Sequence, residues 1–153
     1  MKRLFFMASA ISLAIILMSQ TKKPVAGKSG SGPGKGGGSA ASIARGKVVY
    51  ESTCLPCHQV DGLGVPNMNP PLSKTKWVLG EKAKLAQIVL NGLPGGQIDI
   101  DGDTFHNPMP AQASVLSDQQ IADVLTYVRN NFGNKASAVT AAEVKVVRGK
   151  VVK

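Results

Sequence analysis

Cys54-Leu55-Pro56-Cys57-His58 holds both cysteines of this 153-residue chain and one of its two histidines. Two thiols at this spacing can add across the two vinyl groups of a single macrocycle, and an imidazole directly after them can turn back onto the iron. The pattern therefore predicts one covalently bound haem c, with Cys54 and Cys57 as thioethers and His58 as an axial ligand of the iron. Neither cysteine is then left to staple the fold. A thioredoxin-like dithiol would sit between a strand and a helix in a βαβ setting, and no such pattern surrounds the motif. A zinc site needs more Cys or His ligands than His106, the remaining histidine, supplies.

The formal charge is +9, distributed as +6 over residues 1–39, −1 over 40–133 and +4 over 134–153. A nucleic-acid reader carries its basic footprint on the folded domain, so nucleic acid is not an expected partner. Aromatics are few, and outside Phe5 and Phe6 they are Tyr50, Trp77, Phe105, Tyr127 and Phe132. That is a thin core for a domain of this size. Burying several hundred Å² of porphyrin at ~25 cal/mol per Å² would contribute on the order of ten kcal/mol gross, so the fold is expected to depend on its cofactor.

Lys2 and Arg3 precede an apolar run from Leu4 to Met18. Residues 1–21 have the form of an export signal, either cleaved or kept as a membrane anchor. The run falls short of the ~20 residues that span a bilayer comfortably, and no clear cleavage site follows it. Residues 22–39 are Lys, Gly, Ser and Pro-rich and read as a flexible linker. The expected location is the periplasm or the outer face of the cytoplasmic membrane, with the N-terminus as a possible tether.

The first helix is predicted from Ser42 as N-cap to about Glu51, placing Gly46 and Tyr50 on one face. Gly62, Gly64, Pro66, Pro70 and Pro71 rule out regular structure after His58, so residues 59–72 form a loop at one edge of the haem. A carbonyl of this loop is the expected acceptor for the His58 Nδ1 proton. Trp77 follows, either as a donor to a haem propionate or as a core aromatic with its N–H on a backbone carbonyl. A second helix is predicted over Glu81–Leu90, with Leu85, Ile88 and Val89 on its apolar face and Asn91-Gly92 as its stop. Ile98 and Ile100 alternate with aspartates before an Asp101-Gly102 hairpin turn. The aspartates only faintly resemble a calcium loop, since Thr104 stands where glycine is required.

Met109 lies between Pro108 and Pro110, which hold it in extended backbone. It is 51 residues beyond His58, far enough to reach the other haem face, and is the favoured second axial ligand. His106 and Met68 are the rivals, and an open iron is the further alternative. Ser117-Asp118-Gln119-Gln120 is a capping box opening the best-defined helix, with Ile121, Val124, Leu125, Tyr127 and Val128 as its buried stripe and its end near Asn131-Phe132-Gly133. Thr140-Ala141-Ala142-Glu143 opens a short basic helix to about Arg148 within the tail 134–153.

Cys54 to His58, the loop ending Pro70-Pro71-Leu72, Asn91-Gly92-Leu93-Pro94-Gly95, Met109-Pro110-Ala111 and the capped helix with Tyr127 together resemble class I cytochrome c over residues 40–133. The similarity points to the cytochrome modules of alcohol and sugar dehydrogenases and terminal oxidases. It implies an all-α domain of three main helices around one haem, with the helix of Gly46 and Tyr50 packed on that of Val124, Tyr127 and Val128. It also implies that the Pro70 or Pro71 carbonyl accepts the His58 proton. The function so implied is a monomeric single-haem electron carrier between redox proteins, a dehydrogenase donor or an oxidase acceptor, rather than an enzyme. The alternatives are a peroxide- or gas-reactive open-iron protein and a subunit fixed in a dehydrogenase or oxidase complex.

Overall fold

The computed structural model describes residues 39–151. The expected export segment and all but the last residue of the linker lie outside them. The described chain is mostly helical, with elements α1 (Ala40–Val49), a π-helical turn (Tyr50–Cys54), α2 (Leu55–His58), α3 (Lys76–Leu79), α4 (Lys82–Asn91), β1 (Ile98–Ile100), β2 (Asp103–Phe105), α5 (Asp118–Arg129) and α6 (Ala141–Val151). Among the described residues no helix is long and apolar enough to cross a membrane.

The centre of the fold is the crossing of α1 on α5. Gly46 makes it possible, because a Cβ built there would lie 2.0 Å from the Asp123 carbonyl oxygen and 2.7 Å from the Tyr127 Cβ. With no side chain on α1 at that point, the two backbones touch. Beside the contact, the rings of Tyr50, Tyr127 and Phe132 pack at centroid distances of 5.3 to 5.7 Å. Tilted and edge-on pairs of this kind are worth about 0.5–1.5 kcal/mol each beyond the area they bury.

The predicted start of α1 is displaced. Ser39 is the N-cap, accepting from the Ser42 N–H, so the cap lies three residues before the expected one. Ser42 instead donates its hydroxyl to Asp123 at 2.5 Å, where the Arg45 guanidinium donates twice at 2.6 and 2.8 Å and Gln119 once at 3.1 Å. Burial alone would raise the Asp123 carboxyl, but the bonds from Arg45, Ser42 and Gln119 outweigh it and hold the group below the usual carboxylate range. A carboxyl with a depressed folded pKa stabilises the fold fully above its unfolded pKa and loses that contribution as pH falls through the folded pKa. The melting-temperature gap between wild type and Asp123→Asn is therefore expected to be widest above about pH 5 and to close steadily towards pH 2. A gap independent of pH would remove Asp123 from this role.

The hairpin forms as expected, with Ile98 opposite Phe105 and Ile100 opposite Asp103. Both turn residues, Asp101 and Gly102, have positive φ, as a two-residue turn of this hand requires. The Ser117 capping box is formed on both sides, and α5 stops at Arg129, slightly before the expected end. The second predicted helix is α4, shifted by one residue with Glu81 as its cap.

Two features go beyond the sequence expectations. The short helix α3 is pinned from below by Arg129, whose guanidinium donates to the carbonyls of Val78 (2.6 Å) and Gly80 (3.0 Å) and, through Nε, to Ser137 (2.9 Å). The tail beyond residue 133 is part of the packed unit: α6 lies against α4 and α5, burying Val144 and Val147, with Val139 buried just before it. Ion pairs Lys82–Glu143 (2.5 Å) and Arg148–Asp118 (2.6 Å) hold its two ends.

Candidate haem-binding site

The π-helical turn leads directly into α2, so Cys54, Cys57 and His58 come from one continuous right-handed segment whose last π residue is Cys54. Pro56 sits in the first turn of α2, where a missing N–H costs nothing. Gln59, with φ of 63°, ends the helix, and its carbonyl accepts from the Tyr50 hydroxyl at 2.6 Å. The His58 carbonyl accepts from the Gly64 N–H at 3.1 Å, so the backbone on both sides of this peptide is tied down.

The imidazole is fixed as well. His58 Nδ1 lies 2.9 Å from the Pro70 carbonyl oxygen. A carbonyl only accepts, so Nδ1 carries the proton and Nε2 keeps its lone pair. Burial disfavours the imidazolium, and although the Pro70 bond works against it, the net shift is downward, towards the neutral ring that coordinates a metal. The acceptor is Pro70; Pro71, the other carbonyl considered from the sequence, contributes to the wall of the cleft instead.

Cys54, Cys57 and His58 line one apolar cleft of about 1180 Å³ including its open mouth. Pro70, Pro71, Trp77, Leu85, Ile88, Val89, Ile98 and Ile100 supply much of its wall, and α5 adds Val124, Leu125 and Val128. Burial, with the neighbouring Cys57, pushes the Cys54 thiol up to about 11. Burial at Cys54 thus works against a reactive thiolate at that position.

Met109 also lines the cleft. Its backbone forms a reciprocal pair with Leu93, Leu93 N–H donating to Met109 at 2.8 Å and Met109 N–H to Leu93 at 3.2 Å. Gln112 and Ala113 donate in turn to Val89 and Leu90, so the segment is zipped onto the end of α4. The two rival ligands stand apart: His106 is exposed, Met68 is 48% exposed, and neither lines the cleft. Trp77 does line it, half-buried, and none of the hydrogen bonds among the described residues involves its indole, so of its two expected roles the bond from its N–H to a backbone carbonyl is absent.

Asn69 and Asn107 were not singled out by the sequence. Asn107 Nδ2 donates to Asn69 Oδ1 at 3.1 Å, beside backbone bonds from His106 to Asn67 and from Asn107 to Met68. Together they stitch the loop that orients His58 to the loop that carries Met109. Nothing in either loop's local sequence signals a partner almost forty positions away.

An apolar cleft offering two adjacent thiols, an imidazole lone pair and a thioether is a chemical match to a large flat macrocycle with a central iron. These features define a small helical haem protein. The chain belongs to the cytochrome c family, whose model matches residues 43–132, and with that family comes one covalently bound haem c with its iron. Over 113 residues it is 37% identical to the alcohol dehydrogenase (quinone) cytochrome c subunit of Gluconacetobacter polyoxogenes, covering 72% of this chain and 24% of that subunit. It is 34% identical over 123 residues to cytochrome c-552 of Thermus thermophilus, covering 74% of this chain and 81% of that protein. It is also 34% identical over 107 residues to the cbb3-type cytochrome c oxidase subunit CcoP of an Azospirillum strain, covering 63% and 31%. The match thus spans about a quarter of the length of the dehydrogenase subunit and most of the length of the small cytochrome.

Proposed function

We propose that the chain is a single-haem electron carrier with histidine and methionine as axial ligands, working outside the cytoplasmic membrane between a dehydrogenase-type donor and an oxidase-type acceptor. The observation that carries the ligand assignment is the hydrogen bond from His58 Nδ1 to Pro70, which leaves Nε2 as a lone-pair donor in the cleft that Met109 also lines. Cys54 and Cys57 are assigned the two thioether links. When bound, haem c supplies an iron that cycles between the ferric and ferrous states. The chain's part is to hold that cycle to one electron and no ligand change. Pro70 keeps the imidazole in one tautomer, the Leu93 pairing holds the methionine backbone, and the apolar walls exclude water. A thioether opposite an imidazole favours the reduced state relative to two imidazoles. The likeness to subunits of dehydrogenases and of an oxidase supports redox proteins as partners. The apolar run Leu4–Met18 supports export.

The test is the absorption spectrum of holoprotein, oxidised and reduced, for wild type and Met109→Ala. The variant is expected to lose the methionine-to-iron charge-transfer band entirely and to gain carbon monoxide binding in the reduced form. An unchanged spectrum would show that Met109 is not the ligand.

A further inference from the structure

Between Met109 and α5 the chain makes a turn over residues 112–116, and this turn is gripped from two sides. On one side is the end of α4, where the Val89 and Leu90 carbonyls accept from the Gln112 and Ala113 N–H groups at 3.0 and 3.2 Å. On the other is α6. From it Arg148 donates to the Ala113 carbonyl at 2.5 Å, to the Leu116 carbonyl at 2.8 Å and, through Nε, to the Asp118 carboxylate at 2.6 Å. A guanidinium holds its N–H groups in one rigid fork, so a single side chain ties two carbonyls of the turn to the start of α5. Arg148 is half-buried, and bonds from a charged donor are the stronger kind.

The turn is knit tightly enough to pass this grip on. Val115 and Leu116 donate back to the Gln112 carbonyl at 3.1 and 2.9 Å, and the Gln112 side chain donates to the Pro110 carbonyl at 3.0 Å, one residue from Met109. Gln112 and the buried Leu116 line the haem cleft together with Met109. Arg148 itself lies beyond residue 132, where the family match ends. The other end of α6 is anchored separately, through Glu143 to Lys82, and no hydrogen bond of either residue reaches the turn.

We infer that Arg148 is a positioning residue for the methionine side of the haem site, holding the 112–116 turn seated on α4 and so fixing the segment that presents Met109. The inference rests on Met109 as the axial ligand proposed above. Without Arg148 the turn lifts from α4 more readily, and Met109 yields its place to an added ligand at a lower concentration of that ligand.

The experiment uses ferric holoprotein. Imidazole is the competing ligand, titrated against the methionine-to-iron band, and amide hydrogen exchange is read residue by residue on the same samples. Arg148→Met keeps an unbranched stem and removes all three bonds. It is expected to bind imidazole about tenfold more tightly than wild type and to exchange the Gln112, Ala113 and Leu116 amides at least about tenfold faster, while the amides of α1 keep their rates. Arg148→Lys keeps the charge beside Asp118 but has no fork to span both carbonyls, and is expected to bind imidazole at least about threefold more tightly than wild type. Glu143→Gln removes the ion pair at the other end of α6 and is expected to stay within about twofold of wild type in both measurements. Wild-type imidazole affinity in Arg148→Lys would reduce Arg148 to a charge partner of Asp118. Equal shifts in Arg148→Met and Glu143→Gln would make α6 a general stabiliser. Either result would overturn the positioning role. If Arg148→Met is not recovered as holoprotein, Arg148→Lys against Glu143→Gln decides on the same criteria. A wild type without a methionine-to-iron band would overturn the ligand reading instead, leaving amide exchange in the turn to judge the grip of Arg148.

Discussion

Gly46→Val is expected to destabilise the protein by about 3 kcal/mol or more, measured as the shift in chemical denaturation of the holoprotein. A Cβ at this position would lie 2.0 Å from the Asp123 carbonyl oxygen and 2.6 Å from its carbon. Those atoms are α5 backbone, so no rotamer change relieves the clash, and α1 must move off α5. Moving it stretches the bonds from Ser42 and Arg45 to Asp123 and separates Tyr50 from Tyr127. Gly46→Ala carries the same first atom and is expected to cost about 1–3 kcal/mol. Gly149 on α6 is the control, since nothing lies within 4 Å of a Cβ built there. Gly149→Ala should stabilise by about 0.5–1 kcal/mol through helix propensity alone. If Gly46→Val unfolded at the wild-type midpoint, the close crossing of α1 and α5 would not exist in solution.

Local chemistry is what the sequence displayed well. The Ser117 capping box, the Asp101-Gly102 turn and the pairing of Gly46 with Tyr50 each depend on residues within a few positions, and each appears in the structure where expected. Among the candidate site residues, Cys54, Cys57 and His58 are adjacent in the sequence and Met109 is marked by its flanking prolines. What stayed hidden depends on distant partners. Ser42 looked like a cap because serine before an apolar run usually is one, but Asp123 claims its hydroxyl and Ser39, camouflaged behind three glycines, takes the cap. The π-helical turn ahead of Cys54 leaves no mark in hydrophobic periodicity. The tail read as a short basic helix with no visible role. Its role depends on Lys82, Asp118 and the faces of α4 and α5. The choice of Pro70 over Pro71 needed the path of the loop, not its composition.

Gly92→Val is expected to disable the methionine side of the site while leaving the helical core intact. Gly92 closes α4 with φ of 68° and ψ of −167°, a region essentially reserved for glycine, which a β-branched residue adopts only at a cost of about 1–3 kcal/mol. Its N–H donates to Ile88 at 2.7 Å, so the position is fixed by the helix end. A Cβ there would also meet the Met109 carbonyl oxygen at 2.2 Å and the Ala111 nitrogen at 2.7 Å. That oxygen is the acceptor of the Leu93 bond, so the segment carrying Met109 is pushed away from the pairing that positions it. The α1 and α5 crossing makes no use of Gly92, and circular dichroism should show helix content close to wild type. The methionine-to-iron band should weaken or vanish, and reduced protein should bind carbon monoxide at least about tenfold more tightly, a difference of about 1.4 kcal/mol. Gly95, two residues beyond the Leu93 pairing, has open space around its Cβ and an ordinary φ. Gly95→Ala should therefore behave as wild type in both measurements. A Gly92→Val protein with an intact band would show that the Met109 backbone is not set by the end of α4, and the methionine would have to be positioned by the stitched loops at Asn69 and Asn107 alone.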